Sequence, residues 1–216
     1  MSDHAASTRD RILVAAEALF AERGFAGTAV RDIAARVELN PASLYNHFPS
    51  KEALYEAVLE RGLRPLLQVL ADGAAQGEVA GRVELIDALM AHLGRTPHLP
   101  RLIHHEAVTG GTHLARLARV FIRPLVAQAL SMLKRHPGLG PGAGGWEEGE
   151  HPLLIATWLH LIFGHFAMAP LLSEVFDEDA LSPQSLARQT RFLRKLSLRL
   201  LDRGDGPQGE SPDAAN

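Results

Sequence analysis

The sequence predicts an all-α protein. Strand signals are scarce, because few runs of Val, Ile or Thr alternate with period two, whereas apolar residues recur at helical spacing almost throughout. With 216 residues, 46% of them hydrophobic, the chain has enough apolar side chains for a buried core, and Gly and Pro divide it into helix-sized pieces.

Each element of the first 60 residues has a local reason. Ile12, Ala16, Leu19 and Phe20 form one apolar stripe, and Ser7 with Asp10 three residues later makes a capping-box arrangement. The first helix is therefore expected from Thr8 to Arg23, stopped by Gly24. Thr28 is the expected N-cap of a short second helix with Val30, Ile33, Ala34 and Val37 on one face. A turn at Glu38-Leu39-Asn40 follows. Asn40 caps a third helix with Pro41 at its first position, where the missing N–H costs nothing. Pro49 ends it, and Ser50 caps a fourth helix that runs from Lys51 to about Leu70.

A third helix of barely two turns is marginal alone and is expected to dock Leu44 and Phe48 inward. Ala42, Ser43, Tyr45, Asn46 and His47 then face outward. Two short helices joined by a tight turn over a three-helix core follow the helix-turn-helix plan, in which the second helix enters the DNA major groove. A plain surface helix pair fits the spacing as well.

The residues go further than the spacing. Ile12-x-x-Ala15-Ala16-x-x-Leu19-Phe20, Gly24-Phe25, Thr28-x-Val30-Arg31-Asp32-Ile33-Ala34 and Ser43-Leu44-Tyr45-Asn46-His47-Phe48-Pro49-Ser50-Lys51-Glu52 together resemble the N-terminal domain of the tetracycline-repressor (TetR) family over about residues 8 to 60. The resemblance implies an all-helical homodimer with a divergent C-terminal domain that binds a small effector and, when occupied, lowers operator affinity. It also implies phosphate contacts by Thr28, Tyr45, His47 and Lys51, with Pro41, Ala42, Ser43 and Asn46 nearest the bases. Asn46 could read an adenine edge. Glu38 stands where the family usually has Gly, and Ala42 where Gly is common.

The expected organisation is a DNA-binding domain over residues 1–61, an effector-binding and dimerisation domain over 62–202, and a disordered tail over 203–216. The Gly-rich stretch from His136 to Pro152 reads as a mobile loop. Leu99, Leu102, Ile103 and Glu106 share a face, as do Leu114, Leu117, Phe121 and Leu125, and Pro124 is expected to kink the helix that carries the second set. Candidate effector contacts are His105, Glu106, Phe121, Trp158 and His165; a filled core fits the same stripes.

Composition limits the alternatives. Without cysteine there is no disulfide, thiolate metal site or thiol nucleophile, and Met1 to Asp10 shows no signal-peptide pattern, so a cytoplasmic location is expected. Nine of the 11 histidines lie beyond residue 61, which raises a metal-binding or catalytic helical protein as the rival reading. Spacing argues against it: His160 and His165 sit about 140° apart around a helix, and no H-E-x-x-H pair or nucleophile–base pair occurs. No cofactor, metal or enzymatic activity is expected.

Leu153 to Leu172 carries no charged residue and is long enough to cross a bilayer, but acidic residues flank both ends and no Lys or Arg anchors either one. A membrane span is not expected. The resemblance instead assigns helices near 153–176 and 182–202 to a four-helix dimer interface. Residues 1–61 carry seven Lys or Arg against nine Asp or Glu, so even the DNA-binding segment is acidic by count. Its contacts must lean on helix N-termini and on neutral side chains.

Overall fold

The computed structural model describes residues 7–75, 80–111, 113–135 and 147–201, and every element in them is helical. Most of the loop expected from His136 to Pro152 and the whole 203–216 tail lie outside the described residues.

Helix α1 (Thr8–Gly27) starts where its cap predicts: Ser7 Oγ accepts from the Asp10 amide at 3.1 Å and donates to the Asp10 carboxylate at 2.7 Å. Its regular part ends at Gly24, which has φ 70° and ψ 175°, a region that is essentially glycine-only. A Cβ there would also collide with the His105 ring. The break reverses the chain, so that Thr28 returns to the last turn of α1 and is buried. Its hydroxyl lies 2.8 Å from the Gly24 carbonyl oxygen and 3.1 Å from that of Leu19. The cap expected at Thr28 is therefore corrected: α2 (Val30–Arg36) has Ala29 at its N-cap and no side-chain cap.

The α2–α3 turn has an unexpected feature. Glu38 adopts φ 60°, the left-handed region that glycine occupies without penalty. A glycine here would take this conformation without that penalty. In α3 (Pro41–Tyr45), Asn40 Oδ1 accepts from the Ser43 amide at 2.7 Å, and Leu44 and Phe48 are buried as predicted. Helix α4 (Lys51–Ala75) is capped by Ser50, whose hydroxyl accepts from the Ala53 amide at 3.1 Å. It runs unbroken past Arg61, so the expected domain boundary falls inside a helix that both halves share.

The second half is a bundle of α4 with α5 (Ala80–Arg95), α6 (His98–Thr109), α8 (Arg123–Arg135), α9 (His151–Ala167) and α11 (Pro183–Leu201). Its core joins Leu63, Leu66, Met90, Leu93, Leu99, Leu102, Ile162, Phe166 and Leu193 to that of the first half. A bidentate Arg194–Asp87 pair ties α11 to α5. Between α7 (Leu114–Leu117) and α8 the chain forms one π-helical turn, Ala118–Ile122. Pro124 lies two residues beyond it, in the first turn of α8; it has no N–H for the Val120 carbonyl, so the regular ladder cannot continue there.

The apolar stretch after Pro152 is not one helix. It bends by 71° at Met168 into α9 and α10 (Ala169–Phe176), with Pro170 in the first turn of α10. Among the described residues no single helix is long and apolar enough to cross a membrane.

The strain at Glu38 is measurable. Glu38→Gly should raise stability by up to about 1 kcal/mol, read as a higher urea midpoint with an unchanged m-value; the left-handed penalty it removes slightly exceeds the chain entropy that glycine adds.

Candidate DNA-binding interface and its junction with the second domain

Helix α3 is held by its inward residues and leaves the rest to solvent. Pro41, Ala42, Tyr45, Asn46 and His47 are exposed, with Tyr45 at 48%, while Ser43 is half-buried and commits its amide to the Asn40 cap. Of the outward set predicted from the sequence, Ala42, Tyr45, Asn46 and His47 are exposed and Ser43 is half-buried; Thr28, which the resemblance gives a phosphate contact, keeps its hydroxyl inside the fold.

Few cations near this surface are unengaged. Arg23 lies 3.4 Å from both Glu22 and Asp32, Arg61 pairs with the buried Glu17 at 2.6 Å, and Arg11 donates to the Val37 carbonyl at 2.9 Å. Arg9 stacks over the Phe48 ring at 4.8 Å. Arg31, on the first turn of α2, keeps 82% of its side chain exposed beside Asp32. Arg31 Nε lies 3.5 Å from Asp32 Oδ1, so its exposed guanidinium has an acidic neighbour as well, and net charge conceals which arginines are paired.

Lys51 sits differently. Its ammonium lies 4.3 Å from the centre of the Phe25 ring, a cation–π arrangement. Partial burial there pulls its pKa below the ordinary lysine value, and Glu52 opposes the shift. Phe25 reaches this place because Gly24 turns the chain back beneath the start of α4. Its ring meets Phe20 at 6.0 Å, Tyr55 at 5.1 Å and His113 at 4.3 Å. Tyr55, fully buried on α4, packs edge-on to Phe20 at 5.0 Å and lies 4.8 Å from His113. Its hydroxyl donates to the buried Glu106 carboxylate at 3.1 Å, and the His113 amide donates to the other carboxylate oxygen at 2.8 Å. Burial, reinforced by Glu106, pushes the Tyr55 phenol well above its usual range and keeps it a donor.

The candidate effector contacts separate into groups. His105 and Glu106 belong to the junction of α6 with α1 and α4, where His105 covers Gly24 and both Glu106 oxygens are occupied. Phe121 and Trp158 pack on the core, half-buried. His165 hydrogen-bonds the Ala180 carbonyl at 3.1 Å, which requires an N–H at Nε2. Among the described residues no three His, Asp or Glu side chains come together as a metal site.

Residues 12–58 match the model of the bacterial regulatory proteins, tetR family. The chain is 31% identical over 175 residues to the HTH-type transcriptional repressor Rv3405c of Mycobacterium tuberculosis, covering 81% of this chain and 80% of that one. Over 54 residues it is 50% identical to the HTH-type transcriptional repressor KstR2 of Mycolicibacterium smegmatis, a match to 25% of this chain and 26% of that protein. Among solved structures, the transcriptional regulator SCO4942 of Streptomyces coelicolor aligns with a TM-score of 0.62 at 26% identity, covering 91% of this chain and 99% of that one.

His165 makes a pH prediction. Burial lowers its pKa below the ordinary value of 6.5, against the opposing bond to Ala180. As pH falls, the unfolded chain takes up this proton first, so His165 contributes stability above about pH 6.5 that is lost as pH drops through the folded pKa. The midpoint of thermal unfolding should therefore fall between pH 6.5 and 5, and His165→Gln should flatten that slope.

Proposed function

The chain belongs to the tetR family of bacterial transcriptional regulators, and from that premise we propose that it is a cytoplasmic repressor that binds a near-palindromic operator as a homodimer. A small, mainly apolar or aromatic effector releases it. The observation that carries this reading is the exposed face of α3: Pro41, Ala42, Tyr45, Asn46 and His47 present small or hydrogen-bonding groups over a docked Leu44 and Phe48. Asn46 is suited to an adenine edge, while Tyr45, His47 and Lys51 are suited to phosphates. Thr28 is not among these contacts, whereas Arg31 is an additional one.

Exposed apolar side chains support the dimer. Met168, Leu171 and Val175 follow one face of α10, and Phe176 and Phe192 are 67% and 56% exposed. An apolar surface of this kind, spread over the last helices, suits a second copy of the chain. The effector domain is residues 62–202, with Phe121 and Trp158 as its aromatic contacts and His165 as a polar one.

Selection of duplexes from a random pool, followed by polarisation binding, tests the reading. Tyr45→Ala and Lys51→Ala should each weaken the selected operator about 10-fold, and unchanged binding would refute the assignment. With so few unpaired cations, the dependence of log K on log salt should be far shallower than the slope of about −9 for ten neutralised phosphates. Phe176→Asp with Phe192→Asp should turn a dimer into a monomer by sedimentation; a wild-type monomer would remove the dimer from the proposal.

A further inference from the structure

Phe25 lies just beyond the Gly24 break, in the short helical turn that ends α1, and its ring packs against Phe20, Tyr55 and His113. One of those neighbours is His113, which comes from the connection between α6 and α7 in the second half of the molecule. His113 in turn is held by its amide to Glu106, and the same carboxylate holds Tyr55, another neighbour of Phe25. A contiguous chain of contacts therefore runs from a buried carboxylate on α6, through three rings, to the ammonium of Lys51.

We propose that Glu106 is a positioning residue for DNA binding: by bridging the Tyr55 hydroxyl and the His113 amide it fixes the Phe25 ring on which the Lys51 ammonium rests. This rests on the reading of α3 and the start of α4 as the DNA-binding surface. Glu106 touches no DNA. Its role is to make a DNA contact of the first half depend on the position of α6 in the second. The carboxylate fills its place closely, since a Cβ added to Gly111 would collide with it. Gly111→Ala therefore displaces Glu106 while leaving every side chain of the contact chain present.

The test is a double-mutant cycle on full-length protein, with a duplex selected by the unsubstituted chain as the probe and thermal unfolding as the check on folding. Glu106→Ala and Gly111→Ala should each lose about as much affinity as Lys51→Ala, roughly 10-fold, and Glu106→Gln, which keeps an acceptor, should recover most of it. In the Lys51→Ala background, Glu106→Ala should cost less than 2-fold further. Where Glu106→Ala does not fold, Gly111→Ala takes its place in the cycle. Additive losses, or wild-type affinity for folded Glu106→Ala or Gly111→Ala, overturn the proposal while leaving the DNA-binding assignment intact. Failure of the unsubstituted chain to select any duplex overturns both.

Discussion

The structure depends on the burial of Tyr55. Its ring packs against Phe20 and Phe25 of α1 and against His113 of the α6–α7 connection, and its hydroxyl would be costly to bury without an acceptor. Glu106 provides that acceptor, and Tyr55 and the His113 amide provide the donors without which a buried carboxylate would be costly as well. Each group thus makes the burial of the other tolerable. Truncating an aromatic residue in such a place costs about 3–5 kcal/mol in general, a large fraction of a domain's net stability. The same contacts join the short N-terminal helices to the bundle. The seam between the halves is consequently a packed and hydrogen-bonded surface, crossed in addition by the continuous α4.

Glycine allows the helices to meet so closely. At Gly24 both the backbone conformation and the nearby His105 ring exclude a side chain. On the other side of the seam, a Cβ at Gly62 of α4 would come within 2.7 Å of Leu99 on α6, so those helices approach almost backbone to side chain. Close packing of this kind resists gradual deformation. A shift of α6 would be passed to α1 and α4 rather than absorbed.

The electrostatics of the DNA-binding half fit the same picture. Arg11, Arg23 and Arg61, half of its six arginines, are spent on acidic neighbours or on a backbone carbonyl, and the excess of acidic residues is partly a set of internal partners. A surface with little free positive charge gains little from nonspecific phosphate attraction.

The amino-acid sequence by itself determined the features whose causes are local. Ser7, Asn40 and Ser50 start helices because their side-chain oxygens reach amides three residues on, Gly24 stops one, and Leu44 of the very short α3 and Phe48 just after it are apolar and turn inward. The outward face of α3 was legible for the same reason, since residues not needed for docking must face away. Thr28 defeated local reasoning: it has the chemistry of a cap, but the reversal at Gly24 set it against carbonyls that claimed its hydroxyl. Glu106 was legible only as a polar residue on an apolar face. The choice between effector contact and structural bridge depended on Tyr55, 51 residues away in the chain. The bend at Met168 was hidden because periodicity reports which residues are apolar and carries no information on the direction of the next helix. Local hydrogen bonding and periodicity are written in neighbouring residues, whereas the partner of a buried polar group is decided by the element that packs across from it.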